Sequence, residues 1–153
     1  MIVVLQRVKS AEVTVNGSVT GSCGRGLLIL LGVAAGDSTA DADALAAKIS
    51  KLRIFEDENG KMNLSVNDVG GEILAISQFT LCADCKKGNR PSFTLSAAPD
   101  EANRLYELFC SELSANGVRN VEKGIFGADM AVDIANDGPV TIMLDTDIWR
   151  KDK

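Results

Sequence analysis

Asn16-Gly17 divides the stretch Glu12 to Thr20 into two short strand-like runs, and this commits the start of the chain to an antiparallel hairpin. Asn-Gly adopts the tight turn with positive φ whose twist matches that of paired strands. Ile2 to Val8 reads as a strand ahead of it. Gly26 to Val33 is a continuous apolar run, too short for most helices and suited to a strand buried on both faces. From about Thr39 to Leu52, Ala42, Leu45, Ala46, Ile49 and Leu52 recur at spacings of three and four and predict an amphipathic helix. Asp37 and Ser38 offer side-chain oxygens to the open N–H groups at its start. Glu72 to Leu81 is strand-like. A second helix is predicted from Pro99 to Ala115, with Asp100 and Glu101 matched to its dipole and Leu105, Phe109 and Leu113 on its buried face. Met130 to Asn136 and Val140 to Asp145 read as alternating strands joined by Asp137-Gly138-Pro139, a turn signal. Strands, helix, strands, helix, strands, with hairpin connections, give an α+β class: a mainly antiparallel sheet forming a partial barrel with two packed helices. With 46% hydrophobic residues, the 153 residues are expected to form one domain, 1–153.

Several function classes are excluded at this stage. The apolar start Ile2-Val3-Val4-Leu5 is broken by Gln6, Arg7 and Lys9, unlike a signal peptide, and the stretch Leu27 to Ala35 falls short of the roughly 20 residues of a membrane span. A soluble, cytoplasmic protein is expected. A net charge of -5 argues against gripping DNA or RNA through a broad basic face, so any RNA contact should be local. There is no histidine, which removes every imidazole base and every imidazole metal ligand. The four cysteines are too scattered for a disulfide framework, and the single C-x-x-C of Cys82 and Cys85 has no second pair to complete a metal site. No metal and no cofactor are expected.

Two polar segments carry the chemistry. Ser77-Gln78-Phe79-Thr80 ends a predicted strand and leads into a loop with Gly88 and Pro91, where side chains and free N–H groups can meet a ligand; the plain alternative is an ordinary strand end. Asn136-Asp137-Gly138-Pro139-Val140-Thr141 is either a simple hairpin turn or, with a cis Gly-Pro bond, a rigid pair of carbonyls able to hold an ammonium group.

Together with Gln6-Arg7-Val8, Lys87 to Phe93 and Phe126-Gly127-Ala128-Asp129-Met130, these two segments resemble the D-aminoacyl-tRNA deacylases over nearly the whole chain. The resemblance implies a homodimer with active sites at the subunit interface. In it Gly138-Pro139 is cis and enters the other subunit's pocket, and Ser77, Gln78, Phe79 and Thr80 line the pocket floor. The Gly-Pro carbonyls would take the substrate's α-ammonium and leave no room for an L side chain. Arg7 would brace the Gly-Pro element, Phe126 and Met130 would shape the wall near Pro139, and Asn136 and Thr141 would support the motif. A filter that excludes L side chains cannot exclude glycine, so mischarged glycyl-tRNA(Ala) is implied as a second substrate.

Thr80 as a nucleophile would need a neighbouring base, and none is supplied. The favoured route is substrate-assisted: the 2'-hydroxyl of the terminal ribose orients water while N–H groups near Phe79 and Thr80 stabilise the oxyanion. Lys86, Lys87 and Arg90 form the densest basic cluster and suit phosphates of the tRNA acceptor end, or else a solvated loop. Two rivals remain: a sister deacylase with a trans Gly-Pro that clears an L-amino acid, and a non-catalytic nucleic-acid-binding module of the same fold.

Overall fold

The computed structural model describes residues 1–151. Strand β1 (Ile2–Val15) is continuous, where separate strands were expected before and after Val8. It runs on because Lys9 is absorbed as a bulge: Val8 faces Asn136 and Ser10 faces Ala135. One extra residue turns the following side chains to the opposite face. Val3 and Leu5 therefore join one apolar cluster, while Ala11 and Val13 join Val8 in another. The turn at Asn16 and Gly17, both with positive φ (50° and 80°), leads into β2 (Ser18–Cys23).

Strand β3 (Gly26–Gly32) pairs antiparallel with the first half of β1 and is buried on both faces, as its unbroken apolar run predicts. Leu27, Ile29 and Leu31 point to the first cluster and Leu28 to the second. Helix α1 (Thr39–Lys51) presents Ala42, Leu45, Ala46 and Ile49 to the first cluster. Its start departs from expectation at Asp37. The Ser38 N–H donates to Asp41 at 2.8 Å, while the Asp37 carboxylate turns back to accept from the Ala34 N–H at 2.7 Å and pairs with the N-terminal ammonium at 2.8 Å.

A small hairpin follows, β4 (Phe55–Glu56) and β5 (Met62–Leu64). Strand β6 (Glu72–Ser77) returns parallel to β3. It ends earlier than the expected Leu81, because Phe79–Cys82 closes into a 3-10 turn. Helix α2 (Pro99–Ala115) has the predicted bounds and buries Leu105, Phe109 and Leu113 beside α1. Strand β7 (Val121–Lys123) adds parallel to β6, and the described chain ends with β8 (Ala131–Asp145) and a short α3 (Thr146–Lys151).

The α+β class and the barrel agree with the sequence reading. The sheet is mixed, since β3–β6 and β6–β7 are parallel, and α3 is a third helix. The six strands run β2-β1-β3-β6-β7, with β8 on the far edge of β1, and curl until β2 and β7 nearly meet. A Cβ at Gly21 would lie 2.4 Å from the Lys123 carbonyl, so only glycine allows that approach. Two carboxylates stitch the seam: Glu122 accepts from the Ser22 N–H at 2.9 Å and Glu72 from the Gly24 N–H at 2.8 Å. Among the described residues, no helix is long and apolar enough to cross a membrane.

The stretch around Gly138 overturns a local expectation. Asp137-Gly138-Pro139 is not a hairpin turn, because β8 pairs with β1 in one direction throughout, from Asp145 opposite Ile2 to Ala131 opposite Thr14. Between Thr141, opposite Gln6, and Asn136, opposite Val8, the four residues 137–140 face the single residue Arg7. They form an excursion that leaves the strand and rejoins it.

Candidate active site

The two segments singled out in the sequence form two separate constellations within one chain. The first is a pocket of about 510 Å³ between the end of β6, the start of α2 and the segment ahead of β8. Ser77, Gln78 and Phe79 line one side, Phe126 and Met130 another, and Ser96, Pro99 and Ala102 a third. β6 delivers Ser77 to its rim, and the Gln78 N–H still donates to the Leu31 carbonyl at 2.8 Å, continuing the parallel ladder by one residue. Phe79 and Thr80 then open the 3-10 turn, so their N–H groups lead a helix and have no partner inside it. A carbonyl or oxyanion placed there would find such donors ready.

The Thr80 hydroxyl accepts a hydrogen bond from the Gln78 side-chain amide. An amide is not a base, so this contact orients the hydroxyl without activating it. Phe79 is 57% exposed and meets Phe93 edge-on, with ring centroids 5.1 Å apart. Its carbonyl accepts from the Ser96 hydroxyl at 3.3 Å, tying the turn to the start of α2. Ser96 carries no local signal, since it lies 17 residues from Phe79 and only the fold joins them.

Phe126 and Met130 have both structural and pocket-facing contacts. Phe126 packs on the first core cluster, its ring 6.3 Å from that of Tyr106, whose buried hydroxyl donates to the Ala75 carbonyl at 2.7 Å. Burial pushes the Tyr106 phenol far above its ordinary range, so it serves as a fixed donor. Met130 packs on the second cluster. Both side chains wall the Ser77 pocket, which Gly138 and Pro139 of the same chain do not line.

The second constellation is the excursion of β8. The Gly138-Pro139 peptide is cis. Arg7 continues the inward alternation of Val3 and Leu5 and is only 5% exposed. Its Nε donates to the Asp137 carbonyl at 3.1 Å and its Nη1 to the Ile54 carbonyl at 2.7 Å. A Cβ at Gly138 would stand 3.1 Å from Arg7 Nη2 and 2.9 Å from Val140, and the φ of 131° at Gly138 is itself one that L side chains rarely adopt. The neck of the excursion is closed by side chains. Asn136 Oδ1 accepts from the Val140 N–H at 3.1 Å, and the Thr141 hydroxyl accepts from Gln6 at 3.0 Å and Asn136 at 3.3 Å. None of Arg7, Asn136, Gly138, Pro139 and Thr141 lines the Ser77 pocket.

Lys86, Lys87 and Arg90 are exposed on a loop pinched shut by the Asp84–Ser92 bridge, and among the described residues they form no ion pair. Cys82 is buried behind the 3-10 turn, with its thiol pushed up by burial, and Cys85 is exposed. Asp129, to which the sequence reading gave no role, is the one acidic side chain lining the pocket.

A family described as D-Tyr-tRNA(Tyr) deacylase matches residues 4–145. D-aminoacyl-tRNA deacylases of Anaeromyxobacter dehalogenans and Deinococcus deserti are 58% and 59% identical over 146 and 145 residues, covering 95% of this chain and 97% and 99% of theirs. Among solved structures, a c-Myc DNA Unwinding Element Binding Protein superposes with a TM-score of 0.89 at 43% identity, covering 95% of this chain and 98% of that one. A probable eukaryotic D-amino acid tRNA deacylase shares the fold, with a TM-score of 0.81 at 21% identity over 94% of this chain and 98% of its own.

Proposed function

The chain belongs to the D-Tyr-tRNA(Tyr) deacylase family and is a hydrolase of the aminoacyl-tRNA ester, and from that premise we propose that it proofreads chirality with two parts that meet only across a subunit interface. The observation that carries this reading is the separation just described: a pocket lined by Ser77, Gln78 and Phe79, where a 3-10 turn opens with two free N–H groups, and a braced Gly138-Pro139 element that lines no part of it. In the dimer, Gly138 and Pro139 from one subunit close the other's pocket. Their carbonyls take the α-ammonium, and their bulk occupies the volume an L side chain would need. A D side chain points to solvent, and glycine passes, so glycyl-tRNA(Ala) is also cleared.

Hydrolysis is substrate-assisted. The Phe79 and Thr80 N–H groups stabilise the oxyanion, and the 2'-hydroxyl of the terminal adenosine positions the attacking water. The ester C–O bond breaks with the proton passing to the ribose 3'-oxygen, releasing a free D-amino acid and tRNA. The unpaired edge of β8, with Ile134 and Met143 exposed on it, supports a homodimer, since long bare edges with apolar side chains are otherwise unfavourable. Lys86, Lys87 and Arg90 approach acceptor-end phosphates, and the single domain works in the cytoplasm without metal or cofactor.

The test is deacylation of D-tyrosyl-tRNA, L-tyrosyl-tRNA and glycyl-tRNA(Ala). Release of D-tyrosine and glycine with L-tyrosine retained is expected; efficient L-tyrosine release overturns the chiral reading. A D-aminoacylated tRNA ending in 2'-deoxyadenosine should be almost inert, and its normal hydrolysis would remove the ribose from the mechanism. The likeness to a DNA-binding protein favours a second reading, a non-catalytic nucleic-acid module. A net charge of -5 opposes it, and turnover in the same assay decides against it.

A further inference from the structure

We propose that the β4–β5 hairpin is a positioning element for deacylation, acting through the Ile54 carbonyl on Arg7 and through Arg7 on Gly138-Pro139; this rests on the reading of Gly138-Pro139 as the chiral filter. Arg7 is a bracket with two ends. One end holds Asp137 at 3.1 Å, and the other, at 2.7 Å and fully enclosed, holds a carbonyl that belongs not to the barrel but to the residue entering this small hairpin. The side of the guanidinium then lies against Gly138. Because a guanidinium is planar and rigid, a shift of the Ile54 carbonyl is passed to Asp137 and Gly138 as a shift of similar size.

The hairpin is fixed at both of its own ends. Phe55, 1% exposed, anchors it in the first core cluster, and the exposed Arg25 lies over the Phe55 ring at 5.6 Å. Arg25 reaches that ring because Gly26 pairs with Val8, the residue after Arg7. Arg7, Arg25, Phe55, Glu56 and Asp137 enclose one small cavity of about 90 Å³, which leaves little slack between hairpin and excursion. At the far end, Asp57 accepts from the Asn59 N–H at 2.9 Å and the Lys61 N–H at 3.0 Å and sets the turn. None of these hairpin residues lines the Ser77 pocket, so each acts on the reaction by way of Arg7 and the excursion that Arg7 holds.

Arg25→Met, at an exposed position, and Asp57→Ala, at a half-buried one, test this. Each should lower kcat for D-tyrosyl-tRNA about two- to fivefold, the scale of an exposed cation–π contact for Arg25 and of one hydrogen bond for Asp57, with KM unchanged, a lower D-to-L ratio and a melting temperature lowered by no more than about 2–4 °C. Arg25→Lys should restore most of the loss. In an Arg7→Met background both effects should vanish, because the route to Gly138 is already cut. Wild-type kcat and D-to-L ratio in Arg25→Met and Asp57→Ala, or effects that simply add to those of Arg7→Met, overturn the proposal. A variant with the Gly138-Pro139 excursion lengthened by one residue separates the two failures. If it keeps wild-type chirality, the filter reading falls; if it loses chirality while the hairpin variants do not, the hairpin inference alone falls.

Discussion

Arg7 occupies a place that the alternation of Val3 and Leu5 reserves for an apolar side chain, and it is tolerated there because two of its N–H groups meet carbonyls and the Asp137 carboxylate lies 3.5 Å from its Nε. Hydrogen bonds from a charged donor contribute about 1.5–3 kcal/mol each, and a buried acceptor left empty adds its own cost. Arg7→Met keeps the volume and removes both bonds, so kcat/KM for D-tyrosyl-tRNA should fall about ten- to hundredfold, with L-tyrosine release rising. Arg7→Lys should recover only part, since an ammonium cannot span two carbonyls as the guanidinium fork does. Steady-state deacylation with both enantiomers reads the result; a fully active, fully selective Arg7→Met would detach Arg7 from the filter. Thr80 calls for the opposite scale. Removing a true nucleophile costs roughly 10⁴-fold or more, whereas Thr80→Ala should lose about tenfold at most, because its hydroxyl is held by an amide and not by a base.

At the scale of the element, the excursion of β8 is a loop made rigid at its neck. Asn136→Ala would free the Val140 N–H and loosen Thr141, a loss of about 0.5–1.5 kcal/mol per hydrogen bond. The expected outcome is a several-fold lower D-to-L ratio with a Tm lower by only a few degrees, about 2–4 °C per kcal/mol lost, because β1 and β8 stay paired on both sides of the neck. An unchanged ratio would show that Arg7 alone fixes the filter. This element also marks where sequence stops informing structure. Helices α1 and α2 were legible because a periodicity of 3.6 is written locally, and β3 because its run is apolar at every position. Gly and Pro at 138 and 139 announce a departure from regular pairing, yet the same residues serve a reversal and a bulging excursion alike; only pairing with β1, more than a hundred residues away, decides between them. The early end of β6 was hidden for a similar reason, since Phe79 and Thr80 favour strand, while the 3-10 turn is tied by the Phe79 carbonyl to Ser96, 17 residues further on. Of the site, Ser77 to Phe79, Phe126 and Met130 were legible as a group through resemblance, but Ser96, Pro99 and Ala102 had no signal outside the fold.

For the whole molecule, the barrel is closed by side chains at its seam, and this makes closure sensitive to acid. Glu72 is held below the usual carboxylate range, first by the Asn120 amide at 2.7 Å, then by the Gly24 N–H, with Arg119 adding to the effect. A carboxylate whose folded value is depressed contributes fully above its unfolded value, near 4.5, and that contribution is lost as the pH falls through the folded value. Chemical denaturation from pH 6 to pH 3 should therefore show a stability loss that is smaller in Glu72→Gln, and equal slopes would assign the acid sensitivity elsewhere. Assembly is the larger question at this scale, because Gly138 and Pro139 do not line the Ser77 pocket of their own chain. If they meet across a two-fold axis, every site takes its floor from one subunit and its filter from the other. Consider a chain disabled in the floor, Phe79→Pro, which removes an N–H donor at the first position of the 3-10 turn where proline fits, mixed with a chain disabled in the excursion, Gly138→Val. Random exchange makes about half the dimers mixed, and in each of these one site draws both of its intact parts from different chains, so about a quarter of wild-type sites should reappear. The other site of each mixed dimer is doubly defective. Were floor and filter to act within one chain, no mixture could contain an intact site, and activity would stay at the level of the separate variants at every mixing ratio.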